Sequence, residues 1–486
     1  MRTPDLFLRL ACALAIGLCP AAPVQAAIAF PRLGKAEPPP NILIILADNL
    51  GYGELGSYGG GATRGAPTPR LDALANQGLR LTNFNTEPQC TPSRSALMTA
   101  RFAIRSGTHT VPYKGGPEGL TAWEVTLPEM LAARGYVSGH FGKWHLGSIE
   151  GRLPTDQGFD EWYGIPRSTD EALWTSTAGY DPALAAPTMI MEGRKGSPSR
   201  AVKVYDMEAR RSIDAELRDR AIDFMGRAVS ARRPFLAYVP LTQVHLPTVP
   251  NRAFAGRTGN GDWADTLAEL DANAGALLDA LKRLGVEKNT IVIFASDNGA
   301  EGTPTLEWRG WSGPWRGHYF TTLEGGLRAP FIVRWPGHVE PGRVSDEIVH
   351  LVDIMPTLAA ATGSTMPTDR IIDGVDLVDF LEGRRPGSGR EGFPVFNADR
   401  LQALKWRHWK LHFYRQDNMA DPPLKLPLPA LYDLYVDPRE EQEVTIKESW
   451  VYRPMLRFLA VFQASLVAEP PIPEGTPDPY VPPARR

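Results

Sequence analysis

Two apolar segments of the chain end abruptly in the same pair of polar residues. They are Asn41–Ala47, followed by Asp48 and Asn49, and Thr290–Ser296, followed by Asp297 and Asn298. A short run that is apolar on both of its faces favours a strand of a parallel sheet that helices cover on both sides. We therefore predict that both segments are central strands of one α/β domain.

In the other segments, the hydrophobic pattern predicts strands that alternate with helices. Further strands are predicted at 136–141, Phe235–Pro240 and 331–335, and helices at Pro69–Asn76, 127–134, 209–225 and 267–284, the last of them closed by Gly285. Strands that alternate with helices are typical of a central mixed, mostly parallel sheet flanked by helices. The sequence therefore predicts an α/β fold for the main part of the chain.

Shifts in composition divide the chain into parts. We expect a signal peptide at 1–26, a linker at 27–40, a main domain at 41–385, a smaller C-terminal α+β subdomain at 386–470 and a Pro-rich, extended tail at 471–486. The boundary near 385 falls in a segment of Arg, Pro, Gly and Ser. Strands at 404–414 and 431–436 are predicted for the smaller subdomain.

The N-terminal segment is typical of an export signal. Arg2 and Arg9 precede a short apolar run at 10–18, and Val24-Gln25-Ala26 is similar to a signal-peptide cleavage site. The run is well short of the ~20 residues that a spanning helix needs. We therefore expect a periplasmic or secreted protein with no stable membrane anchor.

Cysteine usage singles out Cys90. The other cysteines, Cys12 and Cys19, lie in the predicted signal peptide. An exported chain with one remaining cysteine cannot close an internal disulfide, so Cys90 is either a free thiol or a modified group. The alternative is a buried cysteine that packs as a small hydrophobe. It is disfavoured because the neighbours, among them Gln89 and Arg94, are polar.

The overall charge argues against nucleic-acid binding. The formal net charge is -3, whereas binding to a phosphate backbone requires a basic surface. We therefore expect no nucleic-acid partner, although this charge is compatible with one basic pocket for a small anion.

The two polar pairs predict a metal site. In parallel sheets, ligands bind beyond the carboxyl ends of the strands, and this is where Asp48, Asn49, Asp297 and Asn298 stand. Carboxylate and amide oxygens suit Ca²⁺ or Mg²⁺ rather than a thiophilic metal. One pair alone would be ordinary turn chemistry, but two pairs after the two most apolar strands favour a shared site.

Longer motifs are spread over nearly the whole chain that follows the signal peptide. They are Cys90-Thr91-Pro92-Ser93-Arg94, Gly142-Lys143-Trp144-His145-Leu146-Gly147, Asp297-Asn298-Gly299, Glu324-Gly325-Gly326-Leu327-Arg328-Ala329-Pro330 and Leu431-Tyr432-Asp433-Leu434. Together they resemble the formylglycine-dependent, arylsulfatase-like sulfatases. The resemblance implies an alkaline-phosphatase-like fold, with the catalytic domain at 41–385. It also implies a maturation system that oxidises Cys90 to formylglycine.

The resemblance assigns roles to single residues. Ca²⁺, or another divalent metal, would be bound by Asp48, Asn49, modified Cys90, Asp297 and Asn298, and the catalytic set would be Cys90, Arg94, Lys143, His145 and His245. One hydroxyl of the hydrated aldehyde at position 90 would attack sulfur, and removal of the other hydroxyl's proton by His145 would expel sulfate. Arg94 and Lys143 would balance negative charge, and His245 would protonate the leaving oxygen.

The chain departs from the family pattern at two places. Asn49 stands where a second aspartate is usual, which removes one negative charge from the metal site. Tyr319 aligns with a position where the family often has lysine. We hypothesise that the adjacent His318 takes over the role of that lysine in holding sulfate or protonating the leaving group. The alternative for His318 is a histidine packed beside aromatic residues.

Three tryptophans precede this segment, namely Trp308, Trp311 and Trp315. We hypothesise that they form an apolar or sugar-stacking wall at the mouth of the site. The alternative is packing in the core.

Three functions remain open. The first is hydrolysis of an organic sulfate ester, expected to be an aryl ester, by S–O cleavage. The second is hydrolysis of a phosphonate monoester or phosphodiester with the same nucleophile, because sulfate esters and phosphonate monoesters both present a tetrahedral monoanion. The third is a non-catalytic binding protein in which Cys90 stays unconverted. The sulfatase-like motif around Cys90 favours the first.

Overall fold

The structure is a computed structural model that describes residues 38–112, 117–302 and 310–483. Pro39–Arg486 forms one compact unit. The predicted signal peptide at 1–26, and all but the end of the predicted linker at 27–40, lie outside the described residues. Both stay predictions, as does the domain boundary at 385. Within the described ranges, no helix has the length and apolar character that a membrane span requires.

Strands and helices alternate along most of the described chain. The strands are β1 (Asn41–Ala47), β2 (Leu79–Leu81), β3 (Phe84–Asn85), β4 (Val137–Lys143), β5 (Glu161–Ile165), β6 (Met189–Arg194), β7 (Arg200–Val204), β8 (Phe235–Pro240), β9 (Thr290–Ser296), β10 (Phe331–Arg334), β11 (Arg343–Ser345), β12 (Val349–His350), β13 (Gly392–Asn397), β14 (Arg400–Trp406), β15 (Trp409–Arg415) and β16 (Leu424–Asp433). The helices are α1 (Pro69–Asn76), α2 (Cys90–Thr99), α3 (Ala103–Ser106), α4 (Leu127–Ala132), α5 (Glu171–Thr175), α6 (Met207–Ser230), α7 (Asp262–Arg283), α8 (Glu324–Leu327), α9 (Ile354–Thr362), α10 (Val378–Leu381) and α11 (Tyr452–Ala468).

The main sheet has 10 strands in the order β11-β2-β10-β9-β1-β8-β4-β5-β6-β7. Its central strands, from β9 through β1, β8 and β4 to β5, run parallel. Antiparallel pairs lie outside this centre, where β10 pairs with β9 and β6 pairs with β5. The predicted mixed, mostly parallel sheet is confirmed, and its central strands point their carboxyl ends to one edge.

Alternate residues of β1 enter two different hydrophobic cores. Ile42, Ile44 and Leu46 belong to the core that contains residues of α2, α4 and α9. Leu43 and Ile45 belong to the core that contains residues of α6 and α7. All five side chains are fully buried. Because helices cover both faces of the sheet, neither face of β1 needs polar residues, which explains the continuous apolar run.

The predicted central elements agree closely with the structure. The strands β1, β8 and β9 and the helix α1 have the predicted bounds, and Gly285, with φ of 71°, follows the end of α7. The segment 404–414 is different, because it contains the end of β14, a turn and most of β15. The segment 431–436 is also different, since β16 ends at Asp433. Helix α11 was not predicted.

A second, antiparallel sheet is formed by β13, β14, β15 and β16. Helix α11 packs on it, and their shared core contains Leu404, Leu411, Leu431, Met455 and Leu459. This sheet and its helix form the predicted smaller α+β part of the fold.

A buried charge cluster joins this second sheet to the main part of the molecule. The Glu324 carboxylate accepts hydrogen bonds from Lys405 Nζ at 2.6 Å and Lys410 Nζ at 2.8 Å. All three side chains are fully buried. A buried charge is tolerated only when it is paired, so these contacts fix the second sheet against helix α8.

The Pro-rich segment packs against the rest of the chain. Residues 471–483 contain no helix or strand, as expected for an extended tail. Ile472 is buried, and its N–H donates to the Arg105 carbonyl at 2.8 Å. Further along, Asp478 forms an ion pair with Arg152 at 2.8 Å. The tail is therefore held by specific contacts along the described part of its length.

Candidate active site

The carboxyl ends of neighbouring strands bring most of the predicted site residues together. Asp48 and Asn49 follow β1, Asp297 and Asn298 follow β9, Lys143 is the last residue of β4, and His245 follows β8. Ala47 of β1 pairs in register with Ser296 of β9. The two Asp-Asn pairs therefore leave the sheet side by side.

Helix α2 brings Cys90 to the same edge of the sheet. Cys90 is the first residue of the helix, and Arg94 is one turn further along, so both lie on one helix face. The Cys90 Sγ atom lies 3.7 Å from Asp48 Oδ1 and 3.7 Å from Asn49 Oδ1. Its exposed fraction is 0%. Cys90 is thus enclosed by the polar residues that follow the central strands.

Two cations are paired with the two aspartates. Arg94 donates through Nε and Nη2 to Asp297 Oδ2 at 3.0 and 2.8 Å, and its Nη2 lies 3.5 Å from Asp48 Oδ2. Lys143 Nζ lies 2.9 Å from the same Asp48 oxygen. All four side chains are fully buried. Each buried charge therefore has an opposite charge beside it, as its stability in the interior requires.

Burial and charge set the protonation of this cluster. Burial would raise the pKa of Asp48, but neighbouring cations, led by Lys143, hold it well below its usual range. Burial and the charge of Asp48 raise the pKa of Asp297. Burial also raises the pKa of the Cys90 thiol far above its usual value. Because a thiolate is the reactive form of cysteine, the unmodified Cys90 is a poor nucleophile at neutral pH.

The polar pairs fit a hard divalent cation. Asp48, Asn49, Asp297 and Asn298 are all fully buried and offer carboxylate and amide oxygens, which Ca²⁺ and Mg²⁺ prefer. The Asn298 Oδ1 atom has no hydrogen-bond partner among the described residues. A buried acceptor of this kind needs a partner, and an ion would supply one. Atoms of Asp48, Cys90 and His245 also lie within 4.8 Å of one another.

The two predicted histidines adjoin the cluster. In the described structure, the buried Nδ1 atom of His145 has no hydrogen-bond partner. Burial and the charge of Lys143 hold the pKa of His145 well below its usual value, so this imidazole is neutral near pH 7. His245 is 6% exposed, and its Nδ1 lies 2.7 Å from the Leu246 carbonyl oxygen. That contact leaves Nε2 of His245 for other partners.

His318 has a different environment from the other predicted residues. Its Nδ1 lies 3.0 Å from the Tyr319 carbonyl oxygen, and its Nε2 lies 3.5 Å from Asn418 Oδ1. It does not line the cavity beside the Cys90 cluster. Its role in holding sulfate or protonating the leaving group stays a prediction.

Two residues without a predicted role also contact the cluster. Glu301 accepts a hydrogen bond from Asn49 Nδ2 at 2.7 Å and is 3% exposed. The Tyr319 hydroxyl lies 3.3 Å from Cys90 Sγ. Glu301 closely follows the Asp297-Asn298-Gly299 motif, and Tyr319 occupies the position that departs from the family pattern. These positions were the only signals for either residue in the sequence.

A cavity of about 810 Å³ opens beside the Cys90 cluster. Its lining combines groups of the cluster with apolar and charged side chains from other segments. The lining includes His145, His245, Glu301, Tyr319, Phe320, Arg167, Glu171, Trp174, Met191 and Met419. A concave space lined by both apolar surface and convergent polar groups is typical of a small-molecule site.

The predicted tryptophan wall is not found in this cavity. Trp311 and Trp315 do not line it, and Trp308 lies outside the described residues. Instead, the Trp315 ring packs edge-on against Tyr52 and lies under the Arg328 guanidinium. Among the described residues, the tryptophan that lines the cavity is Trp174, in helix α5. Nothing in the sequence predicted this position for it.

Comparisons with known proteins were made for the whole chain. The family model described as "Sulfatase" matches residues 40–364, and the one described as "N-sulphoglucosamine sulphohydrolase, C-terminal" matches residues 319–452. Arylsulfatase A of Homo sapiens is 39% identical over 429 residues, which cover 83% of this chain and 82% of that protein. N-acetylgalactosamine-6-sulfatase of Canis lupus familiaris is 34% identical over 394 residues, which cover 79% of this chain and 73% of that protein.

Solved structures agree with these sequence matches. The PsFucS1 sulfatase from Pseudoalteromonas sp. superimposes with a TM-score of 0.82 at 32% sequence identity. The match covers 88% of this chain and 91% of that one. The similarity therefore includes the second sheet as well as the main one.

Proposed function

This chain belongs to the sulfatase family and is a sulfuric ester hydrolase, and we propose that it cleaves the S–O bond of an aryl sulfate ester with a nucleophile formed at Cys90. The observation that carries the proposal is the position of Cys90. Its Sγ atom is fully buried between Asp48 and Asn49, at 3.7 Å from an oxygen of each. A structural cysteine would need no such polar surroundings.

The proposal includes oxidation of Cys90 to formylglycine by a maturation system. Its support from the chain is the sulfatase-like motif around Cys90 and the position of this residue beside Asp48 and Asn49, two of the proposed cation ligands. Formylglycine, once hydrated, supplies a hydroxyl nucleophile and a second hydroxyl whose deprotonation releases sulfate. His145, neutral and with an open Nδ1, is the residue we assign to accept that proton.

The proposal also includes a bound divalent cation, for which Ca²⁺ is our first choice. Asp48, Asn49, Asp297 and Asn298 would hold it together with the modified residue 90. The cation supplies Lewis-acid stabilisation of negative charge on the nucleophile and on the sulfate oxygens. The hard oxygen ligands support this choice over a thiophilic metal.

We propose that Lys143 and Arg94 stabilise the negative charge of the sulfate group and that His245 protonates the leaving group. Lys143 and Arg94 are fixed by Asp48 and Asp297, so they stabilise developing negative charge without moving. His245 lines the cavity beside the cluster. We assign it the protonation of the leaving alcohol oxygen.

The cavity supports an aryl group as the alcohol part of the substrate. Trp174, Met191, Phe320 and Met419 give its lining apolar surface, which suits a flat apolar ring. The periplasm or the exterior of the cell is the proposed location, on the basis of the sequence at 1–26.

One kinetic comparison tests the proposed function. The protein, with formylglycine at position 90 verified by peptide mass and with Ca²⁺ added, is assayed on an aryl sulfate and an aryl phosphonate monoester with the same leaving group. We expect a higher kcat/KM for the sulfate, and no activity on either after Cys90→Ala. A preference for the phosphonate would make the second function correct. Inactivity of the converted protein on both would contradict the proposal.

A further inference from the structure

We propose that Tyr319 is a catalytic residue of this enzyme, whose hydroxyl donates a hydrogen bond to the sulfate group at residue 90. The inference rests on the proposed function and deepens it, because it names a group at the reacting atoms that the family pattern does not supply. Sulfatase-like sequences often carry lysine at this position. In this chain a neutral phenol would take that place.

The position of the hydroxyl carries the inference. Tyr319 Oη lies 3.3 Å from Cys90 Sγ, the atom that conversion replaces with the oxygen of the nucleophile. Tyr319 is 7% exposed, and it lines the cavity that we assign to the substrate. Its ring also approaches the His245 ring edge-on, with centroids 6.5 Å apart. The phenol thus adjoins both the nucleophile position and the residue assigned to the leaving oxygen.

The backbone holds Tyr319 in this place. Its N–H donates to the Ala300 carbonyl at 2.9 Å, and the N–H of the next residue, Phe320, donates to the Pro88 carbonyl at 2.9 Å. These bonds connect the segment to the loop after β9 and to the residues before α2. The Phe320 ring packs edge-on against the Tyr319 ring at 4.4 Å. A donor fixed in advance stabilises charge without a reorganisation cost.

His318 has no equivalent position. Its ring contacts the Tyr319 carbonyl and Asn418, and it does not line the cavity. Its Nδ1 contact with the Tyr319 backbone suits a residue that positions the tyrosine. The hydroxyl of Tyr319, rather than the imidazole of His318, therefore reaches the reacting atoms.

The charges already present explain why a neutral donor is sufficient. Lys143 and Arg94 lie within this cluster, each beside a buried aspartate. A phenol adds a directed hydrogen bond to the sulfate oxygens without adding a third buried cation. Loss of one such donor from a preorganised site costs about 10²–10³-fold in rate.

The test compares Tyr319→Phe and Tyr319→Lys with the wild type and with the control Tyr435→Phe. The control removes the same hydroxyl from a tyrosine that is 71% exposed and does not line the cavity. Each protein is brought to the same fraction of formylglycine, checked by peptide mass, and its thermal midpoint is recorded. The measurements are kcat and KM on an aryl sulfate and the inhibition constant of inorganic sulfate.

We expect Tyr319→Phe to lower kcat/KM by about 100-fold and to weaken inhibition by sulfate, with an unchanged thermal midpoint. Tyr319→Lys should be more active than Tyr319→Phe, because it restores a donor, and Tyr435→Phe should match the wild type. A Tyr319→Phe enzyme with wild-type kcat/KM and sulfate inhibition would overturn the inference. So would a Tyr319→Lys enzyme no more active than Tyr319→Phe, or an equally large loss in Tyr435→Phe.

The activity of the wild-type enzyme shows whether a negative result concerns Tyr319 alone or the proposed function as well. An active wild type with an unaffected Tyr319→Phe variant would overturn the role of Tyr319 alone. A fully converted wild type without sulfatase activity would overturn both.

Discussion

The side chain of Asn49 is held between an acceptor and a donor. Its Nδ2 donates to Glu301 Oε2 at 2.7 Å, and its Oδ1 accepts from Asn298 Nδ2 at 2.5 Å. An ionised carboxylate can only accept hydrogen bonds. Glu301 therefore holds the Asn49 Nδ2 group towards itself and turns the Asn49 Oδ1 atom away. The Asn49 Oδ1 atom then remains beside Cys90, on the side of the proposed cation. Glu301 thus orients the amide that we propose as a cation ligand, at a position where aspartate is usual.

Replacement of Glu301 tests this orientation. We expect Glu301→Met, which is similar in size and has no acceptor, to weaken Ca²⁺ binding by about 10–100-fold, the usual effect of losing a group that orients a metal ligand. Isothermal titration calorimetry on the metal-depleted protein measures the affinity directly. The control is Glu150→Met at an exposed position, which should bind like the wild type. Equal affinities in all three proteins would contradict the role of Glu301.

Replacement of Cys90 by serine tests the proposed need for an aldehyde at this position. A serine hydroxyl can form the sulfate ester but lacks the second hydroxyl whose deprotonation releases sulfate. We therefore expect Cys90→Ser to give a burst of alcohol no larger than the enzyme concentration, followed by no turnover. Rapid-mixing kinetics with a chromogenic aryl sulfate measures the burst. Continued turnover at a rate near that of the wild type would argue that sulfate leaves by another route.

Much of the candidate site could be predicted from the sequence, because most of its residues have a local signal. Asp48 and Asp297 each follow an apolar strand, and Cys90 lies in a long specific motif. Glu301 and Tyr319 lie in irregular segments, where periodicity carries no information about direction or contacts. Their roles depend on distances to Asn49 and Cys90 that only the folded chain defines.

Among the single elements, β4 contains a histidine that is surrounded mainly by aromatic rings. The His140 ring makes edge-on contacts with Trp144 and Phe159. Neither of its ring nitrogens has a hydrogen-bond partner among the described residues. Burial, together with the charge of Arg94, lowers the pKa of His140 from its usual value of about 6.5 to about 3. The native protein therefore keeps this side chain neutral.

This histidine makes the stability depend on pH. Between pH 6.5 and about 3 the unfolded chain binds a proton at His140 and the native protein does not, so acidification favours unfolding. We expect this group to lower the free energy of unfolding by about 1.4 kcal/mol per pH unit in that window. His140→Leu should show a flatter dependence by that amount. Denaturant unfolding between pH 7 and 4.5 measures it, and identical slopes in both proteins would contradict the assignment.

The elements differ in how well the sequence predicts them. A strand such as β1 is apolar throughout and is bounded by polar residues, so both of its ends are visible. The turn between β14 and β15 consists of Arg407 and His408 and contains neither Gly nor Pro. Without these usual turn residues, the apolar pattern of the hairpin reads as one strand. Arg407, with φ of 55°, takes the left-handed conformation without glycine.

At the scale of the whole molecule, Glu324 connects parts of the chain that are distant in sequence. It accepts hydrogen bonds from Lys405 and Lys410 of the second sheet, and it also pairs with Arg328. These charges hold the pKa of Glu324 well below its usual value, although burial alone would raise it. The sequence contained no sign of these pairs, because nothing local relates residue 324 to residues 405 and 410.

Removal of the charge at Glu324 should strongly destabilise the fold. We expect Glu324→Gln to lower the free energy of unfolding by about 3–5 kcal/mol, because it leaves buried cations without their partner. The matched control is Glu391→Gln. It breaks a pair with Arg407 in which both side chains are 58% exposed, and it should cost less than about 1 kcal/mol. Chemical denaturation of both variants measures the difference, and equal losses would contradict the structural role of the cluster.

The central claim is that sulfate-ester hydrolysis depends on the converted form of Cys90. The most direct measurement uses preparations made with and without a formylglycine-generating system, mixed to give different converted fractions. The fraction is read from the mass change expected when thiol sulfur is replaced by aldehyde oxygen in the peptide containing residue 90. We expect that turnover of an aryl sulfate rises in proportion to this fraction, from zero in unconverted protein. Turnover that is independent of the fraction would contradict it.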